Sequence, residues 1–196
     1  MVTQQLQNFA RQSIFDALAA LFLLPEEADR VLSRYADALP AAAGLAAELG
    51  VDPLPFERAA ARPMPSIMEL EREYTRLFLG TGESTVPLTE SLWAKAKTFP
   101  AARAACRDAY ADAGLETADI LGVPEDHLSL LLGFTAVLIL REQPKAASDF
   151  FAAHAAGWLP AFAAALRART DADFYRTAAD VLDAVCEIEK ALRSND

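Results

Sequence analysis

The sequence predicts an all-α protein, a single-domain bundle of about eight to ten helices. Apolar residues recur along most of the chain at spacings of three and four positions, the period of one helix face. Prolines followed closely by acidic residues mark several helix beginnings. Strand-like alternation, glycine hairpin turns and internal repeats do not occur in the sequence. A chain of 196 residues can bury its own core, so we expect residues 1–196 to form one helical domain.

The first half of the chain is predicted to contain four helices. They cover residues 3–23, residues 25–39, a shorter stretch ending at Gly50, and residues 66–79. Residues 51–65 contain four prolines and are predicted to be a connector. The apolar stripe of the fourth helix consists of Ile67, Leu70, Tyr74, Leu77 and Phe78. The charged residues away from this stripe are Glu69, Arg72, Glu73 and Arg76, which are predicted to face solvent.

The second half alternates longer loops with helices. Gly80 ends the fourth helix, residues 80–90 form a loop, and a helix opens at Thr98 and Pro100. After a connector at 115–124, residues 125–141 are apolar on nearly every face and are predicted to lie at the centre of the bundle. Three further helices are predicted to begin near Pro144, near Trp158, and after a cap at Asp171 or Asp173. The loop at 80–90 and the connector at 115–124 are candidate hinges.

Composition excludes several classes of protein. Two cysteines far apart in sequence argue against a disulfide framework, a zinc knuckle or an iron–sulfur site, and predict free buried thiols. A net charge of −10 disfavours nucleic acid and favours a basic peptide as partner. The longest charge-free apolar run, residues 128–140, is too short to span a bilayer. The N-terminus lacks the pattern of a secretion signal, so we expect a soluble, cytoplasmic protein.

The motifs of known catalytic sites are missing from the sequence. Phosphate-binding glycine loops, the nucleophile elbow and the H-E-x-x-H zinc motif do not occur, and there are only two histidines. We therefore expect neither an enzyme nor a bound metal or cofactor.

Two segments combine unusual residues and allow two interpretations each. In "VPEDHLSL", Glu125 and Asp126 complement a helix dipole, but the acids, His127 and free N–H groups also suit a partner's polar groups. In "EREYTRLFLGTGESTVPLTESLW", the aromatic residues on the apolar stripe fit core packing. Trp93 after the loop is typical of a recognition surface, and the surrounding acids either face solvent or form a negative rim.

These segments resemble the TorD/DmsD family of redox-enzyme maturation chaperones, which has NarJ-type relatives. The matching pieces are "EYTRLFLGTG", "VPLTESLW", "PEDH" and the downstream "HAAGWLPAF" with "FY". Thr81 and Leu88 replace prolines that are usual in the family, and Thr89 stands where one branch has a tryptophan. The resemblance implies a cytoplasmic, non-enzymatic chaperone. It would bind the twin-arginine signal peptide or N-terminus of an apo molybdenum-cofactor oxidoreductase subunit and delay export until the cofactor is inserted.

The implied client-binding residues lie in or beside the matched motifs. They are Tyr74, Leu77, Phe78, Pro87, Leu88, Glu90, Ser91, Trp93, Asp126 and His127. Carboxylates among and around them would pair with the arginines, and the apolar members would hold the hydrophobic part of the leader. We expect a monomer, with a domain-swapped dimer as the alternative since the family contains such dimers.

Two other functions stay open from the sequence. One is an assembly factor for a nitrate-reductase-type enzyme that is not exported. The other is a helical pocket protein for a small ligand such as a nucleotide or the molybdenum cofactor, for which Gly80 and Gly82 could bring backbone close to a phosphate.

Overall fold

A computed structural model of the chain describes residues 4–23, 28–80, 85–93, 99–115 and 122–194. These ranges contain ten α-helices and no β-strand, which confirms the predicted all-α fold. The helices are α1 (Gln4–Leu21), α2 (Ala28–Glu48), α3 (Leu54–Ala61), α4 (Ile67–Tyr74), α5 (Glu90–Trp93), α6 (Phe99–Asp112), α7 (Leu128–Leu140), α8 (Pro144–His154), α9 (Leu159–Ala168) and α10 (Phe174–Ser194). The predicted helix opening at residues 25–27, residues 81–84 of the loop and residues 116–121 of the connector lie outside the described residues.

The core of the bundle forms around α7, as its apolar sequence predicts. Most side chains of this helix are buried, and it packs against α1 and α8. On the other side of the bundle α10 packs against α9 and α3, and α2 packs against α1. Both cysteines are free and buried, so the thiol prediction is confirmed.

A buried ion pair connects three helices of the core. Arg11 of α1 donates from Nε and Nη2 to the two carboxylate oxygens of Glu189 on α10, each at 2.8 Å. Ser148 of α8 accepts from Arg11 at 2.9 Å and donates to Glu189 at 3.0 Å. Because all three polar groups are hydrogen bonded, the pair is tolerated inside an apolar core.

Two predicted helix boundaries in the first half are wrong. The helices predicted on either side of Pro40 form the single helix α2, because Pro40 lies on its exposed side, where water can bind the carbonyl that proline leaves free. The predicted connector 51–65 contains α3, whose opening turn holds Pro53 and Pro55. Proline is well suited to a first helical turn, where its missing N–H has no partner to lose.

The helix predicted over residues 66–79 changes its winding near its end. Ser66 and Glu69 form a capping box at the start of α4, and residues Thr75–Leu79 continue as a π-helical turn. The chain then returns closely over this turn, since the Val86 N–H donates to the Leu77 carbonyl at 2.9 Å. A β-carbon on Gly80 would lie 3.3 Å from the Thr85 methyl group, so glycine permits the close return.

Glu73 has a structural role that the sequence does not predict. The sequence predicts that Glu73 faces solvent, but Glu73 is buried, and its carboxylate accepts from the N–H groups of Phe174 at 3.1 Å and Tyr175 at 2.8 Å. Glu73 therefore accepts the hydrogen bonds of the first N–H groups of α10. Asp171 and Asp173, the predicted caps, form ion pairs with arginines.

Candidate functional site

The two sequence segments with unusual residues lie side by side in the structure. Residues 85–89 run along the turn that precedes α7, where Thr89 and His127 form an antiparallel bridge. Two main-chain hydrogen bonds flank it, from the Leu128 N–H to the Leu88 carbonyl (2.7 Å) and from the Glu90 N–H to the Asp126 carbonyl (3.0 Å). The fold thus brings the predicted residues of both segments into one region.

Asp126 is fully buried and joins the two segments through its side chain. Its Oδ2 accepts a hydrogen bond from the Ser91 N–H at 2.8 Å, in the first turn of α5. Its Oδ1 has no hydrogen-bond partner among the described residues and lies 4.0 Å from Nε of Arg103. A buried carboxylate oxygen without a partner is unfavourable, so Asp126 retains an unused acceptor.

Glu125 is bound by α6. Arg103 donates from Nη2 to Oε2 of Glu125 at 2.6 Å, and Arg107 lies 3.5 Å from Oε1. Hydrogen bonds from its own backbone N–H and from Arg103 lower the pKa of Glu125. The Tyr110 hydroxyl also donates to the Glu125 carbonyl at 2.8 Å. The carboxylate of Glu125 is therefore already paired with arginines of the same chain.

His127 is the N-cap of α7. The helix begins at Leu128, so the predicted start at residue 125 is three positions too early. Nδ1 of His127 accepts from the Ser129 N–H at 3.3 Å and lies 2.8 Å from the Ser129 hydroxyl. Burial lowers the pKa of His127 to about 4, although the neighbouring Asp126 acts in the opposite direction. His127 is thus neutral at pH 7 and acts as a cap.

A cluster of aromatic rings lies against the π-helical turn and α5. The indole of Trp93 stacks on Trp158 with ring centres 6.2 Å apart and meets the edge of Phe162 at 6.1 Å. Phe78 stacks on the same Phe162 at 6.4 Å. The indole N–H of Trp93 donates to the Pro87 carbonyl at 2.9 Å, which fixes the ring over the 85–93 segment.

The outer members of this cluster are partly exposed. Phe78 and Trp93 are half-buried, while Phe162 is fully buried beneath them. Their sequence neighbours Leu79 and Leu92 are 53% and 59% exposed. We call Phe78, Leu79, Leu92 and Trp93 the aromatic face. Phe78 and Trp93 meet through Phe162, and large apolar side chains that stay exposed are typical of binding surfaces.

Four other predicted site residues are buried. Tyr74 and Leu77 are buried in the core, where the Tyr74 hydroxyl donates to the Phe22 carbonyl at 3.3 Å. Burial raises the pKa of Tyr74 to about 12. Leu88 and Ser91 are also buried. Tyr74 also packs edge-on against Phe78 with ring centres 5.0 Å apart, so it supports one ring of the aromatic face.

A second polar group lies beside the aromatic face. Oε2 of Glu90 is 3.1 Å from Nδ1 of His154, and the Cys106 sulfur is 3.4 Å from the same nitrogen. The Cys106 thiol also approaches Oε2 of Glu90 at 3.8 Å. Burial, followed by the nearby carboxylates of Glu90 and Asp126, raises the pKa of the Cys106 thiol.

Sequence reasoning did not select several residues of this region. Arg103 and Cys106 belong to an alanine-rich helix whose sequence carries no recognisable motif. His154, Trp158 and Phe162 are part of the run "HAAGWLPAF", which resembles the chaperone family. That resemblance was the signal that could have identified them.

An all-α bundle with a partly exposed aromatic face fits a protein that binds other proteins. Residues 24–164, more than half of the chain, match the family described as nitrate reductase delta subunit, and the chain belongs to this family. The resemblance to redox-enzyme maturation chaperones is thereby confirmed, and the protein is a chaperone for molybdoenzyme assembly. The matched residues include α2 to α8 and every predicted site residue.

The comparison with curated proteins gives no match. Within the described residues, no helix combines the length and apolar character that a membrane span requires.

Proposed function

We propose that this chaperone binds the twin-arginine signal peptide at the N-terminus of an apo molybdenum-cofactor oxidoreductase subunit. The observation that carries the proposal is the aromatic face, which is partly exposed and whose α5 residues follow a segment hydrogen bonded to the turn before α7. Leaders of this class place an apolar segment after two arginines. An apolar segment that folds as a helix can lay one side on such a face.

The apolar contacts account for a large share of the expected affinity. Leu79 and Leu92 are more than half exposed, and Phe78 and Trp93 each retain accessible ring surface. Fully burying an exposed side chain of this size is worth about 1.5–3 kcal/mol, and roughly half of that or less remains for side chains that are already partly buried. The rings below do not need to move, because Phe162 already packs against both Phe78 and Trp93.

Arginine recognition draws on fewer acids than the sequence suggested. Glu73 caps α10, Glu125 pairs with α6, and Glu90 contacts His154. We assign the arginine site to Oδ1 of Asp126, which has no hydrogen-bond partner among the described residues and becomes accessible when the half-exposed Arg103 turns toward solvent and a leader guanidinium replaces it. The net charge of −10 attracts the basic leader from a distance.

Binding of the leader to the chaperone would control when the enzyme is exported. A leader held on the chaperone is not available to the export machinery, so release after cofactor insertion delays export until the enzyme is complete. This function requires binding and no chemical step, in agreement with a family of maturation chaperones. We place the protein in the cytoplasm, where the cofactor is inserted, and expect it to act as a monomer.

Calorimetric titration with a synthetic twin-arginine leader tests the proposal. Leu92→Glu should weaken binding about tenfold or more, because it places a charge where the apolar segment lies. The matched control is Leu140→Glu, since Leu140 is 69% exposed at the opposite end of α7. Equal affinities for the two variants would disprove the assignment of the aromatic face.

A second titration tests the arginine site. A leader in which both arginines are replaced by glutamine should bind more weakly, and added salt should reduce the affinity of the arginine leader more than that of the glutamine leader. If the two leaders bind equally at low salt, the protein does not recognise the arginines.

The family match favours a second candidate function. Its description names a nitrate reductase subunit, so the client could be a nitrate-reductase-type enzyme that stays in the cytoplasm. In that case the aromatic face would bind an N-terminal segment without twin arginines. Equal binding of both leaders, with loss of binding in Leu92→Glu, would support this candidate.

A further inference from the structure

Three side chains that are distant in sequence place their ligand-type atoms together beside α5. They are Oε2 of Glu90, Sγ of Cys106 and Nδ1 of His154, which all lie within 4.8 Å of one another. Separate helices carry them, α5, α6 and α8, and the sequence separations are 16 residues for Glu90–Cys106 and 48 residues for Cys106–His154. Of the described residues, these form the one group of three or more such side chains with this spacing.

The spacing of the three atoms matches one face of a tetrahedral metal site. Zinc binds thiolate sulfur at about 2.3 Å and imidazole nitrogen or carboxylate oxygen at about 2.0–2.2 Å, so neighbouring ligand atoms in a tetrahedron lie roughly 3.3–3.6 Å apart. The observed separations are 3.1 Å for oxygen to nitrogen, 3.4 Å for sulfur to nitrogen and 3.8 Å for sulfur to oxygen. Shifts of a few tenths of an ångström would complete the geometry.

We propose that Glu90, Cys106 and His154 form a binding site for a divalent cation of the zinc class. Each residue supplies one ligand atom, and the fourth position is left for water or for a donor from a bound partner. The combination of sulfur, imidazole and carboxylate donors suits Zn²⁺ better than Mg²⁺ or Ca²⁺, which prefer oxygen ligands alone.

The surroundings favour a cation and permit its entry. Cys106 is fully buried, whereas the side chains of His154 and Glu90 are 15% and 16% exposed, so the site has an opening on the side of these two residues. Glu90 supplies the negative charge of the site itself, since Glu125 is already paired with Arg103 and Arg107. When the metal binds, the Cys106 S–H bond breaks, the sulfur–metal bond forms and the proton passes to solvent.

The site would join α5 to the bundle. Glu90 is the first residue of α5, the helix that ends at Trp93 in the aromatic face, while Cys106 and His154 lie on longer helices. A metal bridging the three would hold α5 in place more firmly than the present hydrogen bonds. This inference does not depend on which client binds, so the site and the proposed function can fail independently.

Cobalt provides the direct test on the full-length chain freed of metal with a chelator. Co²⁺ bound tetrahedrally with a thiolate gives a sulfur-to-metal charge-transfer band and strong visible bands, which water-coordinated Co²⁺ lacks. We expect one Co²⁺ per chain with both features, and Zn²⁺ should displace it. Zn²⁺ at about 100 times its Kd should also raise Tm by roughly 5–10 °C for a chain of this size.

The matched variants are Cys106→Ser and Cys186→Ser, because both thiols are buried and only Cys106 belongs to the cluster. Cys106→Ser should lose the charge-transfer band and the zinc-induced rise in Tm, whereas Cys186→Ser should keep both. Glu90→Gln, which preserves size, should weaken Co²⁺ binding at least tenfold while circular dichroism stays helical. Absence of a thiolate band in the wild type, or its persistence in Cys106→Ser, would overturn the proposal.

Discussion

Replacing Glu73 by glutamine tests how α4 and α10 are held together below the candidate site. In the wild type, Oε1 accepts from the Tyr175 N–H at 2.8 Å and Oε2 from the Phe174 N–H at 3.1 Å. Glutamine keeps one acceptor oxygen but turns its NH₂ group toward the other N–H. The substitution therefore loses one hydrogen bond to a charged group and removes a negative charge from a helix N-terminus.

The magnitude can be derived from these two losses. A hydrogen bond to a charged group contributes about 1.5–3 kcal/mol, and a partly buried charge at a helix end about 1–2 kcal/mol. The neutral amide is less costly to bury than the carboxylate, which offsets part of the loss. We expect the free energy of unfolding to fall by about 2–3 kcal/mol, or Tm by roughly 4–12 °C for a chain of this length.

Thermal and urea unfolding followed by circular dichroism measure this change. Glu71→Gln is the matched control, because Glu71 lies on the same helix but is exposed. Its free energy of unfolding should change by no more than about 0.5 kcal/mol. If Glu73→Gln were no more destabilising than Glu71→Gln, the capping role of Glu73 would be refuted.

Two further predictions concern polar groups in the core. Burial holds the pKa of His127 at about 4, against 6.5 in the unfolded chain. As the pH falls, the unfolded chain therefore binds a proton at His127 before the folded protein does. The contribution of this residue to stability is then present above about pH 6.5 and is lost as the pH falls toward 4, by about 3 kcal/mol in total. His127→Asn, which keeps a capping acceptor, should flatten this part of the pH dependence of unfolding in urea; an unchanged profile would contradict the assignment. Arg11→Met should destabilise the protein by about 3–5 kcal/mol because Glu189 is left buried and unpaired, and adding Glu189→Met should recover most of the loss. If the double variant did not recover stability in urea unfolding, the loss in Arg11→Met would not come from an unpaired charge on Glu189.

Much of the fold could be predicted from local sequence. The apolar run of α7 and the periodic faces of α1 and α10 were sufficient to place three core helices, because a helix that buries one face must repeat apolar residues every three or four positions. The errors in the helices of the first half occurred at prolines. Whether Pro40 interrupts a helix depends on which side it faces, and that orientation is set by packing against other helices.

The candidate site was predictable to a smaller extent. The matched motifs indicated that the 85–93 segment and the start of α7 belong together, and main-chain hydrogen bonds join them. The same motifs could not separate the buried Tyr74 and Leu77 from the half-exposed Phe78, since all three lie on one helical stripe. Sequence spacing also could not predict the contact between Glu90 and His154, because these residues are 64 positions apart.

The sequence by itself determined the helical class, the family and the two segments that form the candidate site. These properties depend on short-range periodicity and on local motifs, which are written in neighbouring residues. Only the tertiary structure decided which carboxylates remain available to bind a client's arginines, because Glu73 and Glu125 already accept hydrogen bonds from other helices. It also decided that Cys106, His154 and Glu90 meet at one point, since contacts between helices depend on how their faces pack and not on their order in the chain.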